Sequence, residues 1–170
     1  MPAFSKYMIN LFILMVAFIV TPAALSAGAE TRLENLQGGQ QSLAQYLGKG
    51  KWVLFNIWGP SCPPCLEEVH ELVSFHEDHQ DKDAVVVSMA LDFPSFEYAR
   101  KDEVAKFVED YFVNFTVLLG DASLAEQATG EKLLGTPSTY IYDPQGKLVA
   151  VRVGTITQEM VESYMTKYGR

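Results

Sequence analysis

The tightest constraint on this chain is the hand-over from Trp52-Val53-Leu54-Phe55-Asn56-Ile57 into Trp58-Gly59-Pro60-Ser61-Cys62-Pro63-Pro64-Cys65. A short, nearly unbroken apolar run ended by turn residues reads as a strand buried on both faces. Pro63 has no N–H and a preset φ, which suits the first position of a helix. Apolar residues Leu66, Val69, Leu72, Val73 and Phe75 then recur mostly at three and four, carrying a helix to about Gln80. The sequence therefore delivers two cysteines to the junction between a buried strand and a helix N-terminus, where free N–H groups and the helix dipole stabilise a thiolate.

The rest of the chain alternates in the same way. Residues 31–36, Gly38-Gly39 and Ser42-Leu43 read as a short strand, a tight turn and a second short element. A second buried strand is expected over 84–91, a helix over about 102–111, a short strand over 115–119 and one or two helical turns over 123–129. Strands at 138–142 and 148–153 flank Asp143-Pro144-Gln145-Gly146, strong hairpin-turn chemistry, and a last helix is expected over about 158–168. The order predicts an α/β fold: a central mixed sheet, partly parallel and flanked by helices, with an antiparallel closing hairpin and an N-terminal β-hairpin extension.

Cys62 and Cys65 are the chain's two cysteines. A bridge two residues apart closes too short a loop to stabilise a fold much, so redox exchange or metal binding is the expected use. Zinc needs four ligands, and no second cysteine pair exists. In a redox pair Cys62, at the N-cap, is the attacking sulfur and Cys65, one turn on, the resolving one. An N-cap side chain is served by N–H groups of the second and third helical residues. Pro64 removes one of them, so the Cys62 thiolate should be only moderately stabilised and the pair reducing rather than strongly oxidising. No Thr-x-x-Cys is present, which disfavours peroxide reduction by Cys62.

The N-terminus bears on location. Lys6 precedes the apolar run from Leu11 to Val20; Pro22 ends it, and Ala27-Gly28-Ala29 supplies an A-x-A site before Glu30. This is the layout of a signal peptide, read as residues 1–29, ahead of one domain over 30–170; an uncleaved N-terminal anchor is the alternative. The expected location is therefore extracytoplasmic, periplasmic in a bacterium, where disulfides persist. The net charge of −8 excludes nucleic acid as an expected partner, because phosphates call for clustered Lys and Arg.

From Lys51 onward the chain resembles the TlpA/ResA/DsbE-like branch of the thioredoxin superfamily. The residues that carry this are Asn56-Ile57-Trp58 before the Cys-x-x-Cys, Glu68 three residues after Cys65, and Gly135-Thr136-Pro137-Ser138-Thr139-Tyr140 followed by Ile141-Tyr142-Asp143 and Gly146. The resemblance implies a thioredoxin fold and a redox-active disulfide between Cys62 and Cys65. It implies a cis Pro137 facing that disulfide, and Thr136 pairing its backbone with a substrate strand. It also implies Trp58 packing beside the site and Glu68 taking the proton from Cys65. Glu67 is expected to be exposed. No cofactor is implied. The implied partners are cysteine-containing exported proteins and a membrane thiol–disulfide electron donor, with the protein a monomer.

Two departures matter. Ser61 stands where relatives often carry an aromatic, predicting a more open rim, and Gly-Thr-Pro-Ser-Thr replaces the Gly-Ala-Pro-Glu-Thr of the cytochrome-maturation branch. Two other readings use the same cysteines. One is an oxidant of secreted thiols. The other is a copper-binding or metallochaperone module, with Cys62 and Cys65 as soft ligands and His70, His76 and His79 nearby. The plainer expectation for those histidines is solvated helix positions.

Overall fold

The computed structural model describes residues 27–169. Of the expected leader, residues 1–29, the stretch 1–26 lies outside them. No helix among the described residues is long and apolar enough to cross a membrane.

Among the described residues seven strands form one mixed sheet: β1 (Leu33–Asn35), β2 (Gln40–Gln41), β3 (Trp52–Trp58), β4 (Ala84–Ala90), β5 (Thr116–Leu119), β6 (Ser138–Tyr142) and β7 (Leu148–Val153). Four α-helices among the described residues accompany it: α1 (Pro63–His79), α2 (Lys101–Asp110), α3 (Ala122–Thr129) and α4 (Gln158–Tyr168). The strand order is β2-β1-β5-β4-β3-β6-β7. β3, β4 and β5 run parallel, as helical crossovers require, while β6 is antiparallel to β3 and β7 is antiparallel to β6. The N-terminal hairpin joins the far edge, where β1 pairs antiparallel with β5. The mixed sheet, its flanking helices and the hairpin extension thus match the sequence expectation.

All seven residues of β3 are buried. Side chains alternate between faces of a strand. Val53, Phe55 and Ile57 join the core with Leu43, Leu47, Ala125 and Tyr140. Trp52 and Leu54 face α1 and α4 through Leu72, Phe75 and Val161. Trp58 faces Val69 and, from α2, Val104 and Phe107. The same alternation puts Asn56 on the α1 side.

Local chemistry sets the remaining boundaries. Asp121 caps α3 by accepting the Leu124 N–H at 2.8 Å, and the helix ends at Gly130 with φ 73°. Thr157 caps α4 by accepting the Met160 N–H. At the closing hairpin, Asp143 Oδ1 accepts the N–H groups of Gln145 and Lys147. Gly146 adopts φ 85°, and a Cβ there would stand 2.8 Å from the Gly48 nitrogen.

One finding departs from the sequence reading. His76 is not solvated: it is buried on α1, its Nδ1 accepts the Val86 N–H from β4 at 3.0 Å, and the ring proton must therefore sit on Nε2. His79 bridges helices, with Nδ1 2.7 Å from Asp83 and Nε2 3.2 Å from Glu162 of α4. His70 is largely exposed. The described residues begin with a short turn at the N-terminal edge. Ala27–Glu30 forms a 3-10 turn, Ala29 is buried in the core, and a Cβ on Gly28 would collide with the Gln127 carbonyl oxygen of α3.

Burial holds the His76 ring below the ordinary histidine range, the nearby Asp81 opposing and Lys51 reinforcing this. A depressed histidine contributes stability above its unfolded value that is lost as pH falls through its folded one. His76→Leu is therefore expected to cost about 1–3 kcal/mol at pH 7.5, by leaving the Val86 N–H unpaired. The gap to the parent protein should narrow by pH 5, as read by chemical denaturation at the two pH values. A chain starting at Glu30 should be less stable than one starting at Ala27 by about 1–2 kcal/mol, measured in the same way.

Candidate functional site

The site forms where β3 ends. Gly59 has no room for a side chain: a Cβ would meet Phe93 Cβ at 2.9 Å and the Leu91 carbonyl oxygen at 3.0 Å. The chain then turns through the Cys62 N–H to Gly59 carbonyl bond (3.1 Å) and enters α1 with Cys62 as N-cap. Pro63 and Pro64 occupy the first two helical positions. Cys62 and Cys65 form a disulfide, their Cα atoms 5.3 Å apart.

Both cysteines are buried, Cys62 at 0% and Cys65 at 2% exposure, although Ser61 is exposed. The open rim expected from Ser61 is therefore not found: Cys62 belongs to the apolar cluster of Trp58, Val69 and Phe107, against which Phe93 and Leu66 pack. A small residue at position 61 does not uncover the neighbouring sulfur, because the cover comes from other parts of the chain.

Pro137 is buried and its peptide bond with Thr136 is cis. The Thr136 hydroxyl donates to Cys62 Sγ at 3.6 Å. Two neighbouring contacts brace this loop: Ser138 Oγ donates to the Gly135 carbonyl at 2.6 Å, and the Gly154 N–H donates to the Pro137 carbonyl at 2.8 Å. The structure thus brings Cys62, Thr136 and Pro137 together although 74 residues separate Cys62 from Thr136.

Glu68 lies one turn below Cys65 and is 2% exposed, whereas Glu67 is exposed. Its Oε1 accepts from Asn56 Nδ2 at 2.8 Å and its Oε2 accepts the Ile156 N–H at 2.9 Å. The second hydrogen of Asn56 Nδ2 goes to Thr139 Oγ1 at 3.0 Å, across the β3–β6 register. Burial pushes the Glu68 carboxyl up to about 7, against the opposing pull of Asn56, the Ile156 N–H and Arg152. Both carboxylate oxygens already accept from fixed donors, so an added proton must take a remaining lone pair. Glu68, Cys65, Asn56, Trp58 and Phe107 all border one small cavity of ≈ 10 Å³, about the space of one water. Trp58 Nε1 is buried without a hydrogen-bond partner among the described residues, and its ring packs on Phe107 with centroids 4.3 Å apart.

Two parts of this arrangement escaped the sequence reading. Asn56 stands out in the sequence only as part of the run before the cysteines, not as the donor that ties Glu68 to Thr139. The Ile156 N–H carries no side-chain signal at all. The histidines do not converge on the cysteines, and no group of three or more His, Cys, Asp or Glu able to hold a metal occurs among the described residues.

Comparison with known proteins bears on the same residues. Residues 26–151 match the AhpC/TSA family. The chain is 32% identical over 130 residues to the thioredoxin-like protein YneN of Bacillus subtilis, covering 76% of this chain and 71% of that protein. It is 30% identical over 133 residues to the thiol-disulfide oxidoreductase ResA of Bacillus subtilis, covering 78% and 69%. Among solved structures, a DsbF homologue from Corynebacterium diphtheriae superposes with a TM-score of 0.67 at 28% identity, over 80% of this chain and 82% of that one. A thiol:disulfide interchange protein from Chlorobium tepidum superposes with a TM-score of 0.69 at 18% identity, over 86% and 98%, a likeness of fold. With these relatives, and with its cysteine pair at the head of α1 on this sheet, the chain belongs to the AhpC/TSA family and is a thiol–disulfide oxidoreductase.

Proposed function

We propose that the pair reduces disulfides of partner proteins outside the cytoplasm. The observation that carries this reading is the start of α1. Two prolines hold its first two positions, and the Cys62 side chain takes no capping hydrogen bond from the helix. A thiolate with less backbone support favours the disulfide form, so the dithiol gives up its electrons readily.

In the forward reaction the Cys62 thiolate attacks one sulfur of a partner disulfide. A Cys62–partner mixed disulfide forms and the partner's other sulfur leaves as a thiolate, which takes a proton from solvent. Cys65 then gives its proton to the Glu68 carboxylate and attacks Cys62 Sγ. The mixed disulfide breaks, the Cys62–Cys65 disulfide forms, and the second partner thiolate departs. Two electrons have passed to the partner, and the proton held on Glu68 returns to solvent. Trp58, Thr136 and Pro137 flank the exchange, with the Thr136 backbone as the strip on which an extended partner segment pairs. A membrane thiol–disulfide donor would restore the dithiol.

The location rests on the leader-like layout of residues 1–29, and the domain boundary on the Glu30 that follows it. The partners are cysteine-containing exported proteins and the working unit is a monomer.

The reduction potential of the pair is expected near the thioredoxin value of roughly −270 mV; a value near −120 mV would make the protein a donor of disulfides. Cys62→Ser should abolish disulfide reductase activity, and Cys65→Ser should accumulate the mixed disulfide with a partner, visible on non-reducing gels. Glu68→Gln should slow release of the partner from the mixed disulfide about 10²-fold. It should also remove the rise in that rate expected through pH 7 as the carboxyl ionises, measured by stopped flow from pH 5 to 9.

A further inference from the structure

Glu68 Oε2 accepts the Ile156 N–H at 2.9 Å. The same peptide group carries the Thr155 carbonyl oxygen, and that oxygen accepts from Arg152 Nε at 2.5 Å. The Thr155–Ile156 peptide is therefore bonded at both ends, to a guanidinium through its C=O and to a buried carboxyl through its N–H. Hydrogen bonds in series polarise one another, so a cationic donor on the C=O strengthens what the N–H gives to Glu68.

The sheet register puts Arg152 where it can do this. Arg152 of β7 stands opposite Thr139 of β6, and residues paired across neighbouring strands share a face. Thr139 belongs to the buried network through Asn56, so Arg152 lies on the same face as that network, at its solvent edge. The bend from β7 to α4 is held twice, by the Gly154 N–H on the Pro137 carbonyl at 2.8 Å and by Arg152 on the next residue. The other groups around Glu68 offer no positive charge. Asn56 of β3, Thr139 of β6 and Phe107 of α2 are neutral, and Cys65 of α1 titrates only in the dithiol. Glu71, one turn further along α1, is itself an acceptor, taking the Gln158 N–H at 2.9 Å, and Glu67 is exposed. Burial raises the Glu68 carboxyl to about 7, while Asn56, the Ile156 N–H and the Arg152 charge pull it down.

We propose that Arg152 is a positioning residue for the proton transfer, acting on Glu68 through the Thr155–Ile156 peptide. It fixes the N–H on Oε2 and keeps the carboxylate, the form that can take the Cys65 proton, populated at neutral pH. Arg152 and the peptide keep their own hydrogens throughout; the proton that moves goes from Cys65 Sγ to Glu68. This role rests on the reading of Glu68 as the acceptor of that proton.

The test uses the full chain with Arg152→Met, which keeps a long side chain but removes the charge and the donor, and Arg152→Lys, which keeps both. One readout is the titration of the Glu68 carboxyl carbon by NMR in the dithiol form, the signal being assigned by its loss in Glu68→Gln. The other is the pH profile of partner release from the mixed disulfide, by stopped flow. Arg152→Met should raise both midpoints by about half a pH unit, which leaves about threefold less carboxylate below the midpoint. Release should slow by about the same factor below pH 7 and match the parent by pH 9, where Glu68 is ionised in both. Arg152→Lys should recover most of the shift. A Glu68 midpoint that does not move in Arg152→Met overturns the proposal and leaves the role of Glu68 standing. Release slowed equally at every pH also overturns it, because the arginine then only shapes the bend. So does a lysine variant that shifts as far as the methionine one. A parent release rate that does not rise through the measured Glu68 midpoint overturns the reading of Glu68 as the proton acceptor, and the proposal with it.

Discussion

The pairing of β3 on both sides, with its two faces covered, is the constraint on which the rest of the structure depends. β4 runs parallel to it on one side and β6 antiparallel on the other, so its backbone hydrogen bonds are spent within the sheet. Its side chains serve two cores in alternation. A strand held in this way has a fixed register, because a one-residue slip would exchange the faces of every side chain. The register places Asn56 and Trp58 toward α1, and the end of the strand sets where the turn to Cys62 begins.

From that fixed strand a buried polar network extends in three directions. Asn56 reaches Glu68 of α1 and Thr139 of β6, and Glu68 reaches the Ile156 N–H in the chain leading to α4. Leaving any of these groups unpaired in the interior would cost about 1–3 kcal/mol. The network therefore ties the cysteine helix, the strand after Pro137 and the entry to α4 into one unit. Its centre is a carboxyl whose proton affinity is set by competition, burial raising it and two donors and Arg152 lowering it, to about 7. A group balanced there can hold or release a proton near neutral pH, which suits it to serve the Cys65 thiol beside the same cavity.

The two sulfurs are thus supported unequally. On the Cys65 side stands an acceptor for a proton; on the Cys62 side stands a hydroxyl donor from the loop before β6. On the proposed reading of Cys62 as the attacking thiol and Cys65 as the resolving one, that division matches the two jobs of a redox pair.

Much of this was legible in the sequence. The strand-to-helix junction, the cysteine pair, the turn at Asp143–Gly146 and the succession of strands and helices follow from local rules: apolar runs, prolines at a helix start, turn chemistry. The signature around Pro137 marked which distant segment to watch. What tertiary structure alone decided lies between residues far apart. These are the joining of β1 to β5, the burial of His76 against β4, the cover over Cys62 despite a small Ser61, and the acceptance of the Ile156 N–H by Glu68. The physical reason is the same in each case. Periodicity and propensity report what a segment prefers on its own, whereas burial of a polar group and the partner it finds there depend on which other segments the folded chain brings against it.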